Sequence, residues 1–183
     1  MQRANTQGPD SGPQRVIGLA GWSGSGKTTL VTQLIPVLLA RGISVSTLKH
    51  AHHAFDVDRP GKDSHRHREA GAQQVLVSSA KRWALMTENR EEPEPDSTAL
   101  LAKLDPVDLV IIEGFKREQH EKIEVHRPSV GKPALWPDDP GIVAVASDEP
   151  LTGCPLPLLP LNDVEAVADF VVSHCGLSLP EAV

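Results

Sequence analysis

A chain of 183 residues with 39% hydrophobic residues is sized for one domain with a real core, and an aromatic content of 3% leaves Val, Leu, Ile and Ala to fill it. The formal net charge of -6 argues against a general nucleic-acid binder, which carries a basic footprint. Two cysteines are too few for a disulfide framework, and no apolar run approaches the about 18 residues of a membrane span, so a reduced, cytoplasmic setting without membrane contact is expected.

Residues 1–14 are polar, contain Gly and Pro, and lack the apolar centre of a secretory signal, so they read as a disordered tail. Residues 15–175 read as one nucleotide-binding domain, followed by a short tail over 176–183. The apolar run 16–20 predicts a buried first strand. After a glycine-rich loop, Lys27–Ala40 carries Leu30, Val31, Leu34, Ile35, Leu38 and Leu39 near helical spacing, with Pro36 inside and Gly42 as its stop. The β-branched stretch 43–48 predicts a second strand. A polar segment follows, with a short helix over 63–70 capped by Asp63 or its neighbour. Gln74–Ser78 and 83–86 predict two tightly joined strands. Residues 97–104 predict an amphipathic helix, and 109–112, the most apolar run, a central strand. Short strands are expected at 123–125, 142–146 and 158–161. Asn162 or Asp163 then caps a helix to about residue 173. Strands alternating with helices predict an α/β, P-loop NTPase-like, mostly parallel twisted sheet flanked by helices.

Gly21-Trp22-Ser23-Gly24-Ser25-Gly26-Lys27-Thr28 meets the spacing Gly-x4-Gly-Lys-[Ser/Thr] in full, between a predicted strand and a predicted helix. Glycines let successive backbone N–H groups converge on one anionic centre, and the helix adds its positive end. Lys27 supplies a charge to the outer phosphates, Thr28 is the candidate Mg²⁺ ligand, and Thr29 is a candidate for the inner phosphate. Glu113, at the end of the most apolar strand, is the candidate acidic partner of the metal. Asp108, at the other end of that strand, lies too far away.

His50, His52, His53, His65 and His67, with Asp56, Asp58 and Asp63, suggest either a transition-metal site or a solvated polar loop. In a doubly wound sheet this connection follows a strand's carboxyl end, where ligands bind. Asp63 is therefore a candidate for the magnesium shell or its water. Lys49, Lys62, Arg66 and Arg68 are candidates for a second anion.

Several segments together resemble the molybdopterin-guanine dinucleotide biosynthesis protein B (MobB) family. They are the glycine loop with residues 17–21, Leu48-Lys49-His50 with His52 and His53, and Asp58-Arg59-Pro60-Gly61-Lys62-Asp63-Ser64. Arg66-His67-Arg68-Glu69-Ala70-Gly71-Ala72, Val77-Ser78-Ser79, Ile112-Glu113-Gly114-Phe115-Lys116, Lys122-Ile123-Glu124-Val125 and Leu161-Asn162-Asp163-Val164 continue it. The resemblance covers roughly residues 15–175. It implies a GTP-binding, usually dimeric protein with weak GTPase activity. Such a protein assists the guanylyltransferase that attaches GMP to molybdopterin, with that transferase and molybdopterin intermediates as partners. Asp148, after the strand at 142–146, is the candidate reader of the guanine edge, although the usual Asn/Thr-Lys-x-Asp signature is incomplete. Preference for GTP thus rests on the resemblance. With no arginine finger assignable, slow hydrolysis is expected, with Lys27, Glu113 and Asp63 as the catalytic candidates. The rival readings are a GTP-dependent metallochaperone, which the lack of a cysteine cluster disfavours, a small-molecule kinase, for which no lid segment is evident, and a non-catalytic adapter.

Overall fold

The computed structural model describes residues 14–51, 55–115 and 118–179. In chain order the elements are β1 (Arg15–Ala20), α1 (Lys27–Ala40), β2 (Val45–Lys49), α2 (Asp63–Glu69), β3 (Gln74–Ser78) and β4 (Trp83–Thr87). They continue with α3 (Ser97–Leu101), β5 (Leu109–Glu113), β6 (Lys122–His126), β7 (Ile142–Ser147), β8 (Leu158–Pro160) and α4 (Val164–His174). They form two compact units. One takes the chain up to His50 and from Ser97 onward, and the other is Ala51–Asp96.

The larger unit is built on a six-stranded sheet in the order β2-β5-β1-β6-β7-β8, with every pairing parallel. A strand covered on both faces has no polar side to keep, which is why β5 reads as an uninterrupted apolar run. Leu109 and Ile111 join Ile17, Leu19, Ile123 and Val125 in a core with α1 and α4, while Val110 and Ile112 pack with Phe115, Leu100 and Leu104 on the opposite side. Leu30, Leu34 and Leu38 form the buried stripe of α1, and Val167, Ala168 and Val171 that of α4. Pro36 is accommodated on the exposed face of α1.

Several boundaries differ from expectation for local reasons. Ile43 lies outside β2 because it completes the end of α1. Gly42 N–H donates to Leu39 O and Ile43 N–H to Leu38 O, the two bonds of a Schellman cap, with Gly42 at φ 81°. Asp108 then accepts from Ser44 N (2.7 Å) and Ser44 Oγ (2.5 Å), tying β2 to the start of β5. Helix α3 ends at Leu101 because, after Ala102 N–H bonds back to Thr98 O, the N–H groups of Lys103 and Leu104 bond only three residues back and tighten the turn. Asp163 caps α4 by accepting from Ala166 N at 3.1 Å.

Strand β6 holds the least expected packing. Ile123 and Val125 face the aliphatic core, yet Lys122, Glu124 and His126 are buried as well. Glu124 accepts from Leu135 N (2.8 Å) and Trp136 N (2.9 Å), and Lys122 lies 3.1 Å from Asp139. Charged groups survive burial only when so partnered. Nearby, burial pushes the His120 imidazole below its usual pKa, and the Lys122 charge adds to this.

The smaller unit pairs β3 with β4 as an antiparallel hairpin beside α2. Asp63 sits in the first turn of α2 rather than capping it. The cap position is Lys62, and no side chain caps this helix. Arg68 reaches Asp56 (2.7 Å), Asp58 (3.3 Å) and Glu88 (2.9 Å), so its charge is used inside the unit and not held ready for a second anion. Donation by the Ser64 hydroxyl, helped by Arg59 N–H and Arg68, holds the Asp58 carboxyl below the usual range.

Candidate nucleotide-binding site

Strand β1 ends at Ala20, and residues 21–26 turn the chain into α1. Two glycines are required, Gly21 by conformation and by space and Gly26 by conformation. Gly21 has φ 145°, and a Cβ there would stand 2.5 Å from Val125 O. Gly26 has φ 99° in the left-handed region and serves as the backbone cap of α1. No side chain caps α1 and its first turn holds no acid, so the initial N–H groups and the positive end of the helix dipole stay available to an anion. Lys27 Nζ curls back to donate to Gly21 O and Trp22 O, both at 2.9 Å. The Ser25 hydroxyl is buried.

The register of the sheet brings the acid to the loop. Leu19 of β1 pairs with Glu113 of β5. Thr28 Oγ1 donates to Glu113 Oε1 at 3.0 Å, and Lys49 Nζ lies 3.5 Å from the same oxygen. A hydroxyl and a carboxylate oxygen side by side, next to unneutralised helix N–H groups, form a hard oxygen donor set of the kind that suits Mg²⁺. Behind Glu113 the chain turns through Gly114 at φ 103°, and Phe115 packs on His50 with ring centroids 4.7 Å apart.

Of the other candidates, Ser23, Gly24 and Thr29 lie exposed in or just after the loop, and Gly24 has φ 83°. Asp148 follows β7 and pairs through Oδ2 with Arg127, while its Oδ1 is buried with no hydrogen-bond partner among the described residues. Asp63 belongs to the smaller unit. His52, His53 and Lys116 lie outside the described residues. Among the described residues no group of three or more His, Cys, Asp or Glu is placed to hold a metal ion.

Sequence reasoning missed three contacts of the loop. Arg127 Nε donates to Ser25 O at 3.2 Å. Trp22 Nε1 donates to Pro133 O at 2.8 Å, and Lys132 Nζ stands 5.8 Å from the Trp22 ring centroid. The segment carrying Lys132 and Pro133 is itself held by Glu124 through Leu135 and Trp136. These contacts span about a hundred positions of sequence, and no local spacing announces them.

A parallel sheet with this loop after its first strand and an acid on the neighbouring strand defines an α/β protein of the P-loop NTPase-like class. The family model described as molybdopterin guanine dinucleotide synthesis protein B matches residues 16–148. The chain is 49% identical over 160 residues to the molybdopterin-guanine dinucleotide biosynthesis adapter protein of Escherichia coli (strain K12), covering 86% of this chain and 91% of that protein. The adapter protein of the same description from Haemophilus influenzae is 46% identical, over 85% of this chain and 86% of its own length. A crystal structure of molybdopterin-guanine biosynthesis protein B superposes with a TM-score of 0.69 at 30% identity, covering 87% of this chain and 99% of the other. Bacillus subtilis MobB has a TM-score of 0.67 at 21% identity over 92% of this chain and 99% of its own, a likeness of fold. The chain belongs to the MobB family.

Proposed function

We propose that this protein is a GTP-binding adapter of molybdenum cofactor biosynthesis, acting in the guanylylation of molybdopterin. Family membership supports the pathway, and the observation that supports the nucleotide is the loop itself. The N-terminus of α1, which no side chain caps, Lys27 and the Thr28–Glu113 pair all meet at the carboxyl end of β1.

In this reading the triphosphate lies along residues 21–28, with Thr29 beside the innermost phosphate. Lys27 exchanges its two backbone carbonyls for phosphate oxygens. Thr28 and Glu113 would hold Mg²⁺, which would supply neutralisation of phosphate charge. Glu113 accepts from Thr28, and its carboxylate would serve the metal directly or through water. Asp148 is assigned to the guanine edge, a role that its unpartnered Oδ1 supports. Hydrolysis is slow without a further cation aimed at the transferring phosphoryl group.

The partners in this reading are the guanylyltransferase and its molybdopterin intermediates in the cytoplasm, with a second copy of the chain completing a homodimer. No helix among the described residues is long and apolar enough to cross a membrane. Leu76, Trp83 and Leu85, on the same side of the β3–β4 hairpin and all exposed, supply an apolar surface suited to association.

Calorimetry with Mg²⁺ and GTP, GDP or ATP, with and without the transferase, tests the proposal. GTP should bind more tightly than ATP, and Lys27→Ala should weaken GTP by at least about tenfold, the loss of one charge-assisted contact. Equal GTP affinity in wild type and Lys27→Ala would remove the loop from the mechanism.

A further inference from the structure

Strand β1 has two neighbours in the sheet, and each sends one side chain to the phosphate loop. From β5 comes Glu113. From the residue just after β6 comes Arg127, which the nucleotide reading above leaves without a role. The pairings Ala20↔Glu124 and His126↔Ser147 place Arg127 between the loop on one side and Asp148 on the other. Its Nε donates to Ser25 O at 3.2 Å, and its Nη1 pairs with Asp148 Oδ2. The guanidinium lies close along the loop, since a Cβ built on Gly26 would stand 3.4 Å from Nε. Ser25 itself is 2% exposed, so this bond is made at the buried turn of the loop.

A peptide unit is planar and trans, so its C=O and N–H point in opposite directions. Pinning the Ser25 carbonyl therefore sets the direction of the Gly26 N–H. Gly26, at φ 99°, lacks the side chain that would otherwise restrict that peptide, so an outside anchor matters most here. Arginine suits the task because its donors are fixed in one plane, and Asp148 holds that plane in place. The geometry points to Arg127 as a positioning residue of the phosphate cradle, one that keeps the Gly26 N–H turned opposite the Ser25 carbonyl and available to phosphate oxygens. The inference rests on the nucleotide-binding reading.

The test measures Kd for Mg·GTP, Mg·GDP and tripolyphosphate by calorimetry, and the single-turnover hydrolysis rate at saturating GTP, for wild type, Arg127→Ala, Arg127→Lys and Asp148→Asn. Arg127→Ala should raise all three Kd values by a similar factor, about tenfold for a lost charge-assisted hydrogen bond, with the saturated rate within about twofold of wild type. Arg127→Lys, still able to donate to Ser25 O, should recover part of the loss. Unchanged Kd values in Arg127→Ala overturn the inference, and so does a fall confined to the saturated rate, which would make the arginine act on the transferring phosphoryl group. If Arg127→Ala does not fold, Arg127→Lys and Asp148→Asn decide. Arg127→Lys should raise the three Kd values by a smaller common factor, and Asp148→Asn, whose effect on GTP and GDP also includes the guanine edge, should raise the Kd for tripolyphosphate; no rise in either overturns the inference. Wild-type protein that binds none of the three ligands sinks the nucleotide reading and this inference together. Wild-type binding with an unaffected Arg127→Ala sinks this inference alone.

Discussion

The two units of the chain are held together by different physics. The larger buries aliphatic side chains on both faces of a parallel sheet, and Leu34, Leu38, Leu109 and Ile112 are wholly inaccessible. The smaller has a two-stranded hairpin, a helix of seven residues with no buried residue, and Val75 as its one buried hydrophobic side chain among the described residues. A hairpin alone is marginal in water. What ties this unit together is Arg68 with Asp56, Asp58 and Glu88, while Leu76, Trp83 and Leu85 stay exposed. Hydrophobic burial thus gives the glycine loop a rigid base, whereas the smaller unit leaves most of its apolar side chains exposed and relies on the ion pairs of one largely buried arginine.

The comparison breaks first if the sheet unit proves indifferent to its core. Leu34→Ala should lower the unfolding free energy by about 2–5 kcal/mol in urea titrations, the usual cost of a leucine-sized cavity. The next effect sharpens the picture of the same core at its edge. Burial raises the Cys175 thiol to about 11 from an ordinary 9.0. Above pH 9 the unfolded chain releases this proton while the folded chain retains it, so the unfolded state binds fewer protons and stability falls as pH rises. The loss should accumulate to about 2–3 kcal/mol by pH 11, and Cys175→Ala should flatten that part of the pH profile. A thiol reagent at pH 8 should correspondingly react with the partly exposed Cys154 and spare Cys175 until unfolding.

The polar unit should respond differently. Arg68→Ala should speed hydrogen exchange in β3 and β4 while leaving β1 and β5 unchanged, a smaller and more local loss than Leu34→Ala causes. Faster exchange throughout the sheet would show that the two units unfold together. The smallest effect is expected on the outer side of the hairpin. Leu85→Ser should shift stability by no more than about 0.5 kcal/mol at a protein concentration that keeps the chain monomeric. Its effect on sedimentation at higher concentration checks whether this surface takes part in self-association.

Much of the scaffold could be read from residues alone. The glycine loop, the limits of α1, the apolar run of β5 and the Gln74–Ser78 hairpin strand are local patterns, and each unit carries its own signal. The ends of elements were less legible. Ile43 has the character of a strand residue, but its N–H closes the α1 cap, and Asp63 has the character of a cap but lies one residue inside α2. At Ile43 the end of the helix competed with the strand for the same residue, and periodicity does not register such competition.

By itself the sequence determined the mostly parallel α/β class, the glycine loop between β1 and α1, and the acid at the end of β5. Those follow from hydrophobic period and from glycine, lysine and threonine at set intervals, all short-range properties of the chain. Only the tertiary structure decided that β6 buries Lys122, Glu124 and His126, that Trp22 is held by Pro133, and that Arg127 reaches Ser25 while Asp148 holds Arg127. Strand order and register create these contacts, and parallel neighbours in a sheet are joined by crossovers whose length erases any fixed spacing between the residues that meet.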